Sequence, residues 1–285
     1  MNAIGRLACV KLATGELLWQ KDLPAEFGGR VDENAWGVCA SPVVVDGKLI
    51  VNPGGPQASL VALRPETGAV LWKTPGDTAA FSSLIVGTFG DRRQLVGYES
   101  SALCGWDIES GRRLWRLVPP RPGDFNVPTV VAVDGSLVVS SENNGTRLYR
   151  FGEQGVITAA PVATNRDLAP DTHTPVAMGG RLFGVCDGLH CLDLATGLKT
   201  IWKSDDKAFD DYASIIAGGN RLLVTSKHGE LLLIDAAADH FRLLGRAQIF
   251  ADDPGVYSHP AIVGHKLYLR GSEEIVCLDL KQAEN

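Results

Sequence analysis

A chain of 285 residues, 45% of them hydrophobic, with 32 glycines and 15 prolines, has the apolar content for a large core and the turn formers to cut it into short segments. Its 27 basic and 33 acidic residues give a net charge of −6 and form no basic stripe, which excludes a nucleic-acid partner of the phosphate-gripping kind. The longest apolar runs, such as Pro42 to Val45 and Val130 to Val133, are strand-sized, so no membrane span is expected, and nothing at Met1 to Ala8 reads as a signal peptide.

In chain order, Leu7 to Leu12 and Glu16 to Lys21 read as two strands around a turn. The same unit is plainest at Ser59 to Pro75, where Leu60, Ala62 and Val70-Leu71-Trp72 flank the turn Pro65-Glu66-Thr67-Gly68. Gly68 supplies the positive φ that a hairpin with a type I turn and a bulge requires. Copies follow at Leu103 to Trp115 and Leu189 to Trp202, with weaker ones at Leu148 to Ala159, Leu231 to Gly245 and Ile275 to Leu280. Trp72 and Trp115 lie 43 residues apart, Trp115 and Trp202 lie 87 apart, and a further 43 lands on Gly245. The middle copy, around Glu153-Gln154-Gly155, has lost its tryptophan. A period in the low forties with strand-turn-strand content is the signature of a propeller blade, about 40 to 45 residues with four strands.

The other two strands of each blade come from a second signal. Ser41-Pro42, Ser82-Ser83, Thr129-Val130, Thr174-Pro175, Ala213-Ser214 and His259-Pro260 each precede a short apolar run and a turn; the turns are Asp46-Gly47, an expanded one in the second copy, Asp134-Gly135, Gly179-Gly180, Gly218-Gly219 and Gly264-His265. An alternating strand follows each turn. The expected architecture is all-β: a propeller of four-stranded antiparallel blades near residues 41–74, 82–118, 128–161, 174–204 and 214–247, two strands of a partial blade before them and three after, with under about a tenth of the chain helical. Residues 1–285 are expected to form a single domain. The strand count leaves one strand in excess of whole blades, so a segment upstream of Met1 is expected.

The repeated L-x-x-L/D-x-x-T-G-x-x-L-W at Leu60 to Trp72, with the Ser-Pro strands before it, resembles the pyrroloquinoline-quinone-like, or quinoprotein-type, propeller repeat. Trp36-Gly37 through Ser41-Pro42, Asn52-Pro53-Gly54-Gly55 and His259-Pro260 to Leu278-Asp279 look like a bacterial branch of that superfamily. The resemblance implies a domain of about eight blades and an exported protein, periplasmic or extracellular. The superfamily holds dehydrogenases, an outer-membrane-protein assembly scaffold and kinase sensor domains, so the resemblance speaks for the fold and leaves the activity open.

Repeated residues read as structural. Cys9, Cys104, Cys191 and Cys277 fall in four copies of the third strand and are expected to be small buried residues without local disulfides. Cys186 and Cys191 flank Asp187-Gly188 too loosely for an unstrained bridge, and Cys39 has no evident partner. Asp107, Asp193, Asp235 and Asp279 precede the turn, where a carboxylate accepts from turn amides. Asp205-Asp206, Asp210-Asp211 and Asp252-Asp253 are loop pairs read as solvated charge rather than a cation site. Trp19, Trp72, Trp115 and Trp202 are expected to dock one blade against the next.

Function is expected where the copies differ. The column Ser41, Ser82, Thr129, Thr174, Ala213 and His259 begins the inner strands and should ring a channel mouth, with Asn34, Trp36, Phe81, Asn126, His173, Tyr212 and Tyr257 close by in sequence. Such aromatic and hydrogen-bonding groups suit a protein, small-molecule or carbohydrate ligand. The candidate ligand-binding residues are therefore Trp36, Ser41, Ser82, Asn126, Thr129, His173, Thr174, Tyr212 and His259; no catalytic residue, metal site or cofactor is expected. The alternative is a dehydrogenase using pyrroloquinoline quinone with calcium. The resemblance would then require an adjacent Cys-Cys pair, a calcium site with Glu and Asn, and a catalytic Asp. The sequence has no adjacent Cys pair and no assignable catalytic Asp.

Overall fold

The structure is a computed structural model that describes residues 1–30, 36–251 and 255–281. Asn34 and the Asp252-Asp253 pair lie outside the described residues. The regular structure of the described chain is almost entirely strand: 25 strands, one α-helix of 5 residues (α1, Leu23–Phe27) and two single 3-10 turns. It divides into two compact units, Met1–Val162 and Ala163–Asn285.

The first unit opens with the antiparallel pair β1 (Arg6–Val10) and β2 (Leu17–Asp22). Two four-stranded antiparallel sheets follow, each a simple meander. One comprises β3 (Val43–Val45), β4 (Lys48–Val51), β5 (Leu60–Leu63) and β6 (Val70–Thr74); the other comprises β7 (Ile85–Phe89), β8 (Arg92–Glu99), β9 (Ala102–Trp106) and β10 (Arg113–Leu117). β11 (Val131–Val133), β12 (Ser136–Ser141) and β13 (Gly145–Tyr149) complete the unit's strands. The second unit begins with β14 (Ala163–Asn165). It continues with the four-stranded sheet β15 (Val176–Met178), β16 (Arg181–Val185), β17 (Leu189–Asp193), β18 (Lys199–Ser204) and the four-stranded sheet β19 (Ala213–Gly218), β20 (Arg221–Ser226), β21 (Glu230–Asp235), β22 (Leu243–Gln248). β23 (Ala261–Val263), β24 (Lys266–Arg270) and β25 (Ile275–Asp279) form a three-stranded sheet.

Turn chemistry sets these boundaries. Asp46-Gly47 and Asp134-Gly135 hold both central residues at positive φ, the two-residue hairpin conformation whose twist matches that of the strands. In the hairpins of the third and fourth strands the repeated aspartates cap the turn: Asp107 accepts from the Ser110 N–H (2.9 Å), Asp193 from Ala195 (2.8 Å) and Asp235 from Ala237 (3.0 Å). Those bonds favour the ionised carboxylate and hold Asp107 and Asp193 below the usual range, with the Ser110 hydroxyl the largest cause for the first and the Ala195 amide for the second.

The outer strand carries one irregularity in the same place each time. Trp19 stands opposite Cys9, Trp72 opposite Ala62, Trp115 opposite Gly105 and Trp202 opposite Cys191, and in each case a bulge skips the residue before the tryptophan. The bulge aims the indole across the seam to the following blade. Trp19 Nε1 donates to Pro65 O (2.8 Å), Trp72 Nε1 to Ile108 O (3.2 Å) and Trp202 Nε1 to Ala238 O (3.2 Å). Trp115 works through an intermediary: it donates to Gln94 Oε1 (2.8 Å), and Gln94 Nε2 donates to Gly155 O (2.8 Å). The core lies in these seams. Leu60, Ala62 and Trp72 pack on Leu84, Leu95 and Trp106; Phe183, Cys191 and Trp202 pack on Phe209, Leu222 and Leu232.

A polar staple crosses the first of these seams. The Glu99 carboxylate, 1% exposed, accepts from the Ser59 hydroxyl of the preceding sheet (2.7 Å) and from Arg113 Nη2 (2.6 and 2.8 Å). Gly76 is required beside it, because a Cβ there would lie 2.0 Å from Glu99 Oε1.

Four details differ from the sequence expectation. The turn after β19 is Gly219-Asn220, since Gly218 pairs with Arg221, one residue later than Gly218-Gly219. Cys104 pairs with Arg116 and so faces opposite to Cys9 and Cys191; one residue of slip in a period of two reverses the face. Cys186 lies in a three-residue turn, with Val185 opposite Leu189. The weak hairpin at Leu148 to Ala159 contains a 3-10 turn at Glu153–Gly155, and the returning chain rejoins β13 where the Val162 N–H meets Leu148 O (2.8 Å). All six cysteines are free thiols; Cys104 and Cys191 are buried as expected, whereas Cys39 and Cys277 are exposed.

Candidate functional site

In the first unit the residues before the first strands form a stitched row. Ser41 N–H donates to the Ser83 hydroxyl (2.9 Å), and Ser83 N–H donates to the Thr129 hydroxyl (3.2 Å), so each blade caps the one before it. The row therefore runs through Ser83, with Ser82 displaced: Ser82 is 2% exposed, its N–H donates to Asn126 O (3.0 Å), and its hydroxyl has no partner. The corrected turn after β19 likewise moves the fifth member from Ala213 to Ser214, which is buried. With both corrections every member carries a hydroxyl except His259. Ser41 is exposed and Thr129 and Thr174 are half-buried.

In the first unit, three successive loops at this end bring aromatic rings together. Trp36, 59% exposed, meets Phe81 and Phe125 edge-on, each at 5.3 Å between centroids. Phe125 was not singled out in the sequence, although it precedes Asn126 in the loop before β11 as Phe81 precedes Ser82. Asn126 itself is buried. It takes φ +54°, and its Nδ2 donates to Ser100 O (3.1 Å), which fixes the loop under the rings.

In the second unit, Tyr212 and Tyr257 from two loops lie 5.6 Å apart, and His259 Nε2 sits 3.5 Å from Tyr212 Oη. Lys227, held by an ion pair with Asp211, places its ammonium 5.7 Å from the Tyr257 ring, within cation–π range. Partial burial raises the Tyr212 phenol and lowers the His259 imidazole from their ordinary values. His259 is exposed, while His173 is 3% exposed and bonds through Nδ1 to Ala213 O (2.7 Å), leaving a buried Nε2 without a partner. Desolvation takes the His173 pKa down to about 4, the Ala213 carbonyl opposing and His259 adding to the fall. The ring is neutral at pH 7.

Of the loop acids, Asp205, Asp206 and Asp211 are engaged within the protein. Asp205 pairs with Lys203 (3.0 Å), and Asp206 pairs with Arg246 (2.6 Å) and caps the Ala208 N–H. Among the described residues, no three His, Cys, Asp or Glu side chains converge as metal ligands. The first cluster offers aromatic faces, and the second offers two phenol rings, an exposed imidazole and a lysine; each suits recognition by stacking and hydrogen bonding.

The profile of one family, described as outer membrane protein assembly factor BamB, matches residues 2–204. The BamB of Shewanella oneidensis is 25% identical over 91% of this chain and 76% of its own length. The BamB of Burkholderia pseudomallei is 28% identical over 63% of this chain, and the match spans 46% of that relative. Among solved structures, BamB from Moraxella catarrhalis superposes with a TM-score of 0.65 at 16% identity, covering 99% of this chain and 82% of that one. The quinohemoprotein alcohol dehydrogenase of Comamonas testosteroni superposes at 0.61 with 14% identity, over 93% and 60%. Both likenesses speak for the fold, a β-propeller of four-stranded blades. With the profile covering most of the chain, the protein belongs to the outer membrane protein assembly factor BamB family.

Proposed function

We propose that the protein is a non-catalytic propeller, residues 1–285 acting as one domain, that serves as a scaffold in outer-membrane protein assembly in the periplasm. The observation that carries this reading is a pair of aromatic clusters in the loops before the first strands, Trp36-Phe81-Phe125 within one unit and Tyr212-Tyr257 within the other, with Trp36, Phe125 and Tyr257 exposed, on a chain of this family. Aromatic residues dominate protein interfaces because they bring large apolar area at small entropic cost. Ser41 and Thr129 beside the first cluster, and Thr174 and His259 beside the second, supply hydrogen-bonding groups, whereas Ser82, Asn126 and His173 are buried and support the loops.

Photo-cross-linking from positions 36 and 257 in the protein's own cells tests the reading. The expected result is a cross-link to an outer-membrane assembly protein in the periplasmic fraction; residence in the cytoplasm, or cross-links only from blade faces remote from these loops, would sink it. Titration with pyrroloquinoline quinone and calcium separates it from the dehydrogenase reading: no saturable binding is expected, and stoichiometric binding would favour the enzyme.

A further inference from the structure

The outer strand β22 repeats the register of β2, β6, β10 and β18, bulge included. Leu233 stands opposite Gly245 as Cys191 stands opposite Trp202 and Ala62 opposite Trp72, and Leu244 is skipped as Ile201 and Leu71 are. Gly245 therefore occupies the tryptophan position. A Cβ built there would meet nothing within 4 Å. Beside it an apolar groove of about 650 Å³ opens between the sheet β19–β22 and the sheet β23–β25, lined by Ile216, Leu223, Leu233, Gly245, Ile262 and Leu280 among others.

In the seams that have their tryptophan, the indole fills this space and its N–H finds a backbone carbonyl in the turn after the third strand of the following sheet, at Pro65, Ile108 or Ala238. Leu280 follows Asp279 as Ile108 follows Asp107, so the groove ends at the residue whose counterpart Ile108 offers its carbonyl to the Trp72 indole. The molecule itself thus defines the ligand: flat, aromatic, largely apolar, with one N–H donor. Its volume falls in the range of formed ligand pockets, about 300–1,000 Å³, and exceeds what one side chain fills. Chain flanking the ring has room as well.

We propose that this groove is a binding site for an indole group, and that its occupant is a tryptophan side chain presented by a partner polypeptide. The polypeptide source rests on the scaffold reading; the indole site does not. The test is ¹⁹F NMR titration of the whole chain with a capped pentapeptide Ala-Ala-Trp-Ala-Ala carrying 5-fluorotryptophan, in competition with free indole and with the leucine counterpart.

The expected result is saturable binding of the tryptophan peptide at least about tenfold tighter than either competitor, a gap of about 1.4 kcal/mol. Gly245→Trp should raise Tm and abolish binding. Ile262→Gln, a change at a half-exposed wall residue that folding tolerates, should weaken binding severalfold. Equal binding of the leucine peptide, or unchanged binding in Gly245→Trp and Ile262→Gln, overturns the site. Free indole binding as tightly as the peptide overturns the polypeptide source and leaves the groove an indole site. Cross-linking at positions 36 and 257 reads the scaffold function separately, since neither variant touches those loops.

Discussion

The seam closed by Trp202 and the seam beside Gly245 have the same construction up to one side chain. Both outer strands bulge at the same point, both third strands end in an aspartate-capped turn, and both seams are walled by leucine and isoleucine. One is filled by an indole that is 7% exposed and hydrogen-bonded to Ala238 O; the other is an open groove. Backbone register and side-chain filling are thus separable. The bulge is set by hairpin geometry and persists when the residue it aims has gone, so the strand order of the blade does not depend on the tryptophan, whereas the solidity of the seam does.

The largest expected effect follows from emptying the filled seam. Trp202→Ala should cost about 3–5 kcal/mol, the range for truncating a buried aromatic residue and leaving a cavity. The matching change at the open seam, Gly245→Ala, should be neutral or stabilise by about 0.5 kcal/mol, since Gly245 does not need positive φ and its Cβ meets open space. Urea unfolding of the two variants decides the comparison, and equal losses would mean that the seams are not energetically distinct.

A second, smaller effect sharpens the same seam with pH. His173 is stitched to Ala213 O between the two full sheets of the second unit, and its pKa falls from about 6.5 to about 4 on folding. Between those values the unfolded chain holds a proton at this ring that the folded chain refuses, so stability declines as pH falls from 6.5 to 4 and levels off below. The decline is at most about 1.4 kcal/mol per pH unit. Stability measured at pH 7 and pH 4.5 should differ less in His173→Gln than in the parent. An unchanged difference would show that other groups carry the acid sensitivity.

The smallest effect is expected at the exposed end. His259→Ser restores the hydroxyl that the rest of the row carries, and it should change stability by only a few tenths of a kcal/mol, as surface substitutions do. It should weaken any partner held near Tyr212. A loss of several kcal/mol in thermal unfolding would make His259 a structural residue.

The blades were legible in the sequence because their signals repeat: Thr-Gly or Ser-Gly turns, aspartates before them and tryptophans 43 residues apart mark four strands per period. What escaped was register at single-residue precision. Ala213 and Ser214 are indistinguishable in sequence as the column's fifth member because Gly218-Gly219-Asn220 offers two equivalent turns, and only the pairing of Gly218 with Arg221 chooses between them. Ser82 and Ser83 are identical as letters and differ in the fold, the first buried and the second receiving the Ser41 amide. The aromatic clusters were legible only in part. Phe125 and Lys227 carry no repeat signal, and they join Trp36 and Tyr257 through loop geometry that spacing does not encode.

The stitched row of Ser41, Ser83 and Thr129 bears on how such a chain grows. The repeat at Ser83 brings one amide that gives and one hydroxyl that receives. A tandem duplication of that repeat would therefore arrive with its donor and acceptor already matched to either neighbour in this stretch, whereas at the corresponding Ser214 the hydroxyl is buried without a partner. A duplication out of phase would split the pair. Gene-level copying of that period is thus chemically silent in this stretch, and at the corresponding sequence position of the last repeat His259 carries a side chain of another kind in place of the hydroxyl.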